Sequence, residues 1–258
     1  MSGRYTYGDS DRAAERLVSV ARIFEPTSRA FLQRSVHEVP SLALDLGCGP
    51  GLTTRLLHET TGSRHTVGLD GSESFIAGAR NRTPDGVEFM VHDARVVPFP
   101  TEPADIVYCR LLLPHLVSPG EMVAAWATQV RPGGLLLLDE LESVDTEEPA
   151  FVNYLDQVAR KVVADEGADL YVGPGLHAMD DPPGTQRIAD EVVTFTPEAV
   201  ATARIFSMNL AELTEPGTVD ARPDLAAPLK AVAQGGVARP ATWRVRQLAF
   251  RSLRSVDR

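Results

Sequence analysis

The chain has 258 residues, 43% of them apolar, which suits one large α/β domain or a domain with a cap, built around a real hydrophobic core. Its formal net charge of −10 favours no polyanionic partner, so nucleic acid is not expected to bind. No apolar run reaches the length of a membrane span and residues 1–7 carry no apolar leader, so a soluble, cytoplasmic protein is expected.

The first pattern is helical. Over residues 9–24 apolar side chains recur at Ala13, Leu17, Val20, Ala21 and Phe24, with Asp9 or Ser10 placed to cap the helix and Pro26 to end it. Thr27 or Ser28 would then cap a second helix carrying Phe31, Leu32 and Val36. Both precede the first strand, so residues 1–38 read as an N-terminal helical cap.

From residue 41 strands and helices alternate. Strands are expected over 41–46, 65–69, 87–91, 104–109 and 134–139, with helices over 51–59, 73–81 and 119–130. The strands are apolar without strict alternation, which is the mark of parallel strands buried on both faces. Pro132-Gly133-Gly134 signals a turn before the fifth strand. Past residue 140 the rhythm changes, and 141–186 reads as an insertion: an acidic stretch, a helix over 149–166, then a loop-rich segment. A sixth strand over 187–195, a helix over 197–213, a short helix near 223–233 and a last strand over 242–250 complete the chain. Cys48 and Cys109 both fall where a parallel sheet meets its ligand edge, so a reduced pair is expected rather than a disulfide.

The chemistry is concentrated at the first strand. Leu42 to Leu46 runs into glycines at 47, 49 and 51 and then into a helical pattern from Leu52. Glycine permits positive φ and close approach of a ligand, and the helix start behind it presents free N–H groups. A dinucleotide fingerprint would place its third glycine at 52, where this chain has leucine. Asp70 ends the second strand about 20 residues beyond the loop, where a carboxylate can accept both hydrogen bonds of a ribose diol. No metal site is expected, because no His, Cys or carboxylate cluster stands at ligand spacing.

The spelling Asp45-Leu-Gly-Cys-Gly-Pro-Gly51 resembles motif I of the class I S-adenosylmethionine (SAM) methyltransferases. The resemblance covers nearly the whole chain and is strongest over 41–139. It implies an α/β, Rossmann-like, seven-stranded sheet, mostly parallel with an antiparallel last strand, in which residues 39–140 form the SAM-binding core and 187–258 the C-terminal part of the sheet. By that resemblance Asp45, Gly47, Cys48 and Gly49 would hold the methionyl part of SAM, Asp70 and Gly71 the ribose, and Asp93 with the Ala94 N–H the adenine. The alternative for Asp93 is a cap on the following turn. Backbone carbonyls near Arg110 and Leu111 would meet the ammonium group, and His115 the cofactor or the substrate beside it. Tyr5 to Ser10 with Glu15-Arg16-Leu17 resembles the opening of one branch of these enzymes, in which Tyr5 and Arg16 would close over the cofactor. Arginine suits a carboxylate through its planar donor fork.

The expected activity is methyl transfer from SAM, leaving S-adenosylhomocysteine, to a small-molecule acceptor. A nucleophile that stays protonated would need a base, for which His115 and Glu140 are the candidates. Asp139, Glu140 and Glu142 could line the substrate pocket and attract an amine or nitrogen heterocycle, as in secondary metabolism, or stand in a solvated loop. Tyr171, His177 and Met208 are further pocket candidates. Asp181-Pro-Pro-Gly184 resembles an amino-DNA methyltransferase motif only superficially, lacking its aromatic residue. Two rival readings are a nicotinamide-dependent oxidoreductase and a non-catalytic SAM-binding protein on the same fold. Oligomeric state is not legible.

Overall fold

The computed structural model describes residues 10–81, 83–166, 169–213 and 223–254. Helix α1 (Asp11–Ser35) leads into β1 (Leu42–Leu46), α2 (Leu52–Thr61), β2 (His65–Asp70), α3 (Glu73–Arg80), β3 (Val87–Val91) and β4 (Ala104–Arg110). There follow α4 (Pro119–Ala127), β5 (Val130–Asp145), α5 (Pro149–Glu166), α6 (Gly173–Ala178), β6 (Thr185–Phe195), α7 (Ala199–Leu213), α8 (Pro223–Ala233) and β7 (Thr242–Ser252). The seven strands form one sheet in the order β3-β2-β1-β4-β5-β7-β6. Strands β1 to β5 pair in parallel, and β7 lies antiparallel between β5 and β6. The order reverses between β1 and β4, so the carboxyl ends of those strands open the crevice where such sheets receive ligands.

Alternation along the strands divides the core. Leu44, Leu46, Val107, Leu136, Leu138 and Phe250 face one side and pack against Val123 and Trp126 of α4. Ala43, Ile106, Tyr108, Leu135 and Leu137 face the other side, under Phe31 and Leu32 of α1 and Leu56 and Leu57 of α2. Over the far half of the sheet an aromatic core joins Phe24, Phe151, Tyr154, Phe206 and Trp243. There the Phe24 ring meets Trp243 edge-on at 5.6 Å, a favoured aromatic geometry.

Three expectations require correction. Pro26 does not end the first helix; it lies inside a single 25-residue α1. A proline there removes one backbone bond and costs about 3 kcal/mol in isolation, but the helix is pinned on both sides of it. Phe24 is anchored in the aromatic core, Phe31 and Leu32 in the α2 core, and the Thr27 hydroxyl donates to the Phe24 carbonyl at 2.9 Å. Pro132 to Gly134 does not precede the fifth strand but lies within it. The register jumps there from Ala104↔Val130 to Ile106↔Leu135, so the residues around Gly133 (φ +74°) bulge out of the ladder. Finally, β5 continues to Asp145, so residues 141–145, with Glu142 and Asp145, belong to the sheet rather than to the expected insertion.

Ser10 caps the first helix, its Oγ accepting from the Ala13 N–H at 3.1 Å, while Asp9, the other proposed cap, lies outside the described residues. Replacing Ser10 by alanine is expected to cost about 1 kcal/mol, seen in chemical denaturation as a lower midpoint with an unchanged slope.

Candidate functional site

The turn between β1 and α2 is built from three left-handed glycines, Gly47 (φ +67°), Gly49 (φ +51°) and Gly51 (φ +81°). A Cβ on Gly51 would stand 2.6 Å from the Phe89 ring, so the third glycine serves helix–sheet packing. A Cβ on Gly47 would meet the Leu112 side chain at 2.9 Å, and one on Gly49 would meet Leu17 at 3.2 Å. Leu17 of α1 and Leu112 after β4 therefore overhang the loop. Neither was picked out in the sequence, where Leu17 is one apolar position of a helix and Leu112 one of three consecutive leucines.

The Cys48 side chain points into the core rather than to the surface of the loop. Its thiol packs with Ile76, Ala79 and Phe89, burial pushes its pKa well up, and its N–H is bonded to the Leu69 carbonyl at 3.1 Å. The Gly47 N–H bonds the same carbonyl at 2.8 Å. What the turn offers a ligand is close approach to the backbone at 47–49 rather than these two N–H groups.

Asp70 sits half-buried at the end of β2. Its Oδ2 accepts from the Gly49 N–H and its Oδ1 from the Ser72 N–H, each at 2.8 Å. The carboxylate thus braces the glycine turn, and its two oxygens have the acceptor capacity for a diol as well. Gly71, beside it, would carry a Cβ into open space, so nothing in the protein blocks approach there. Asp93 follows β3 on the same edge, but its carboxylate is turned onto Arg95, with contacts of 2.9 Å to Nε and 2.6 Å to Nη2. That pairing holds its pKa below the ordinary value. Its Oδ1 also accepts from the Arg95 N–H at 2.9 Å, so the turn-capping alternative is realised in this structure. The Ala94 carbonyl accepts from Trp126 Nε1 at 2.7 Å, which ties this turn to α4.

Asp45 is buried beneath the loop. Its Oδ2 accepts from the Thr54 hydroxyl at 2.7 Å, and its Oδ1 has no hydrogen-bond partner among the described residues. Burial pushes its pKa up to about 6, against the Thr53 and Thr54 hydroxyls and the Arg110 charge, which pull it down. Arg110 is buried on the α1 side of the sheet and donates to Ser28 Oγ at 3.3 Å. Leu111 then turns through φ +53°, a conformation costly for a residue with a β-carbon, and its N–H bonds the Asp139 carbonyl at 3.2 Å.

Arg16 and His115 lie within electrostatic reach of each other, although they are far apart in the chain. Arg16 is buried and its Nη1 donates to Asn209 Oδ1 at 3.2 Å; the Asn209 amide in turn donates to the Tyr154 hydroxyl at 2.8 Å. Burial first, and then the Arg16 charge, bring the His115 pKa down to about 4. The imidazole is therefore neutral at pH 7, able to give or accept a hydrogen bond but weak as a base. Tyr5 lies outside the described residues.

The acidic group of β5 is not a patch. Asp139 faces α1, Glu140 faces the loop after β4, and Glu142 makes two contacts of 2.8 and 2.9 Å with Arg246. All three carboxyls have partners within the protein, and both Asp139 and Glu140 are fully buried, which corrects the solvated-loop alternative for them. His177 is likewise engaged, with Nδ1 2.7 Å from Asp190. Tyr171 lines a separate cleft of about 360 Å³ together with Val144, Asp145, Val152, Leu155 and Asp156. Among the described residues no cluster could hold a metal ion, and no helix is long and apolar enough to cross a membrane.

The sheet order 3-2-1-4-5-7-6 with an antiparallel β7 is the Rossmann-like fold of solved methyltransferase structures. Residues 44–138 match the family described as "Methyltransferase domain". Over 108 residues the chain is 31% identical to a trans-aconitate 2-methyltransferase of Yersinia pestis (strain Pestoides F), covering 41% of this chain and 40% of that protein. A trans-aconitate 2-methyltransferase of Acidovorax sp. (strain JS42) is 33% identical over 114 residues, 44% of this chain and 43% of its own length. The matches thus span about two fifths of these curated relatives. Among solved structures, a Haemonchus contortus phosphoethanolamine N-methyltransferase 2 superposes with a TM-score of 0.54 at 17% identity, over 88% of this chain and 52% of that one. A SAM-dependent methyltransferase of Mesorhizobium loti gives 0.50 at 19% identity, over 88% and 96%. At such identities the likeness concerns the fold.

Proposed function

We propose that this protein is a SAM-dependent methyltransferase acting on a small molecule. The observation that carries the reading is the alignment of three features along one sheet edge: the Gly47–Gly49 turn, the Asp70 carboxylate braced against it, and the Asp93-Ala94 turn. The residues fit the cofactor. Gly71 beside Asp70 opens onto free space, and a carboxylate oxygen of Asp45 is left without a hydrogen-bond partner among the described residues beneath the glycine loop. The likeness of the core to trans-aconitate 2-methyltransferases supports a small-molecule acceptor.

SAM supplies a methyl group already activated by its positive sulfur, so the protein's tasks are alignment and exclusion of water. In this chain Gly47 and Gly49 would admit the methionyl part, Asp70 would accept from the ribose hydroxyls, and Asp93 would reach adenine by exchanging part of its Arg95 pairing. Arg16, with Leu17 beside it on α1, closes the crevice from above. Arg16 would meet a carboxylate, and neutral His115 beside it would orient the acceptor rather than remove its proton. The amine class of acceptor loses the support of β5, whose three carboxyls are occupied within the protein.

Calorimetry is expected to show SAM binding in the micromolar range. Asp70→Ala should weaken it at least tenfold, a loss of about 1.4 kcal/mol, because both the diol acceptor and the brace on Gly49 go. Heat with a nicotinamide cofactor and none with SAM would sink the reading in favour of the oxidoreductase. Release of S-adenosylhomocysteine across a panel of small acids, alcohols and amines would identify the acceptor, and binding without turnover on any of them would favour the non-catalytic rival.

A further inference from the structure

We propose that Glu140 is a positioning residue, a buried clamp that sets the loop after β4 over the glycine turn. Resting on the SAM-binding reading above, this assigns Glu140 a role other than that of a base. The side chain rises from β5 on the face shared with Leu136 and Leu138 and is fully buried. One oxygen, Oε1, collects three donors from the neighbouring loop: the Leu112 N–H at 3.1 Å, the Leu113 N–H at 3.2 Å and the Cys109 thiol at 3.4 Å. Oε2 is buried with no hydrogen-bond partner among the described residues. A group enclosed in this way has no path to an acceptor's proton.

The clamped residues are the ones that shape the site. Leu111 has already turned through positive φ, and a left-handed leucine persists only where its surroundings hold it. Immediately after it, two consecutive N–H groups point back at one carboxyl oxygen, which fixes the direction the chain takes. That direction lays the Leu112 side chain over Gly47 and starts the 3-10 turn Leu113–His115, which brings His115 beside Arg16. Without the clamp, Leu112 N–H and Leu113 N–H would be left unpaired in a partly buried loop, and Leu111 would be free to relax to negative φ. The inward-facing carboxyl is held largely protonated near neutral pH, since burial raises its pKa to about 8. A neutral acid can still accept at Oε1 while its proton sits on Oε2.

The test compares Glu140→Gln and Glu140→Ala in the full chain, by SAM calorimetry and by hydrogen exchange of the peptides spanning 111–115. The glutamine carbonyl can accept the same two N–H bonds, so this variant should bind SAM within about threefold of the parent and keep the loop protected. The alanine variant should exchange at 111–115 at least tenfold faster, with β4 and β5 unchanged, and bind SAM at least tenfold more weakly. An alanine variant with an intact loop and parental affinity overturns the inference while leaving the SAM reading standing. A parent chain that binds no SAM overturns that reading instead, and the exchange data still decide whether Glu140 holds the loop. Should alanine loosen the whole sheet, glutamine decides: a protected loop with parental affinity upholds the clamp, and a protected loop with lost affinity overturns it.

Discussion

Asp139→Ala is expected to destabilise the protein by roughly 3–5 kcal/mol, the cost of breaking a buried charged network by removing its central member. Asp139 lies on β5, fully buried, and gathers donors from three other elements. Its Oδ2 accepts from the Ser28 hydroxyl of α1 at 2.6 Å and the Tyr108 hydroxyl of β4 at 3.1 Å, and its Oδ1 accepts from the Gln247 amide of β7 at 2.9 Å. The same Gln247 amide reaches the Thr27 carbonyl of α1 at 3.3 Å, and its Oε1 accepts from Arg34 at 2.5 Å. Alanine would leave a hydroxyl, a phenol and an amide without their acceptor, with the Arg110 guanidinium close by. Against a typical total of about 5–15 kcal/mol, such a loss removes much of the folded population.

Asp139→Asn separates geometry from charge. Its carbonyl oxygen can replace one acceptor and the two hydroxyls can reverse, so a smaller loss, about 1–2 kcal/mol, is expected. Because the network is what holds α1 across its proline, the surviving folded fraction of the alanine variant should also bind SAM more weakly. Chemical denaturation followed by circular dichroism gives the first number and calorimetry the second. A loss below about 1 kcal/mol for alanine would mean that apolar packing of Phe31 and Leu32 alone secures the helix.

These residues mark where the sequence stops being legible. Strands β1 to β4 were readable almost to the residue, because Leu42–Leu46 and Ala104–Arg110 are short apolar runs bounded by turn residues. The glycine turn was readable because a strand that turns sharply into a helix needs the positive φ that glycine permits. Local rules failed where distant partners decide the outcome. Pro26 looks like a helix stop until Ser28 is seen bound to a strand more than a hundred residues away. Asp139, Glu140 and Glu142 look like one acidic group, yet alternation sends Asp139 to the opposite face of the sheet from Glu140 and Glu142, and each meets its own donors. Asp93 is placed at the expected edge, but its Arg95 neighbour claims the carboxylate, a pairing two residues apart that the sequence permits without requiring. Cys48 lies inside the motif and still faces the core, because only its neighbours need to approach a ligand.

Stability is expected to fall as the pH rises from about 6.5 to 8, by about 2 kcal/mol, through the Glu140 carboxyl. Burial lifts the Glu140 pKa from 4.5 to about 8, opposed by the Leu113 and Leu112 N–H bonds. A folded pKa above the unfolded one means that the native state holds a proton the unfolded chain has released, so raising the pH between the two values favours unfolding. Asp45 acts in the same sense but lower, between 3.8 and about 6. His115 acts oppositely: its pKa is lowered from 6.5 to about 4, so over that interval the unfolded chain binds the extra proton and stability rises with pH. Between about 4.5 and 6 the two acids outweigh the histidine, from about 6 to 6.5 Glu140 and His115 offset one another, and above 6.5 Glu140 is the one of the three still titrating between the two states. Urea midpoints measured at pH 6.5 and 8 should therefore drop in the parent protein and stay level in Glu140→Gln, which carries no proton to lose. Equal slopes in the two proteins would place the titration elsewhere and show that the Glu140 carboxyl is already ionised at pH 6.5, with its charge carried by the two loop N–H groups.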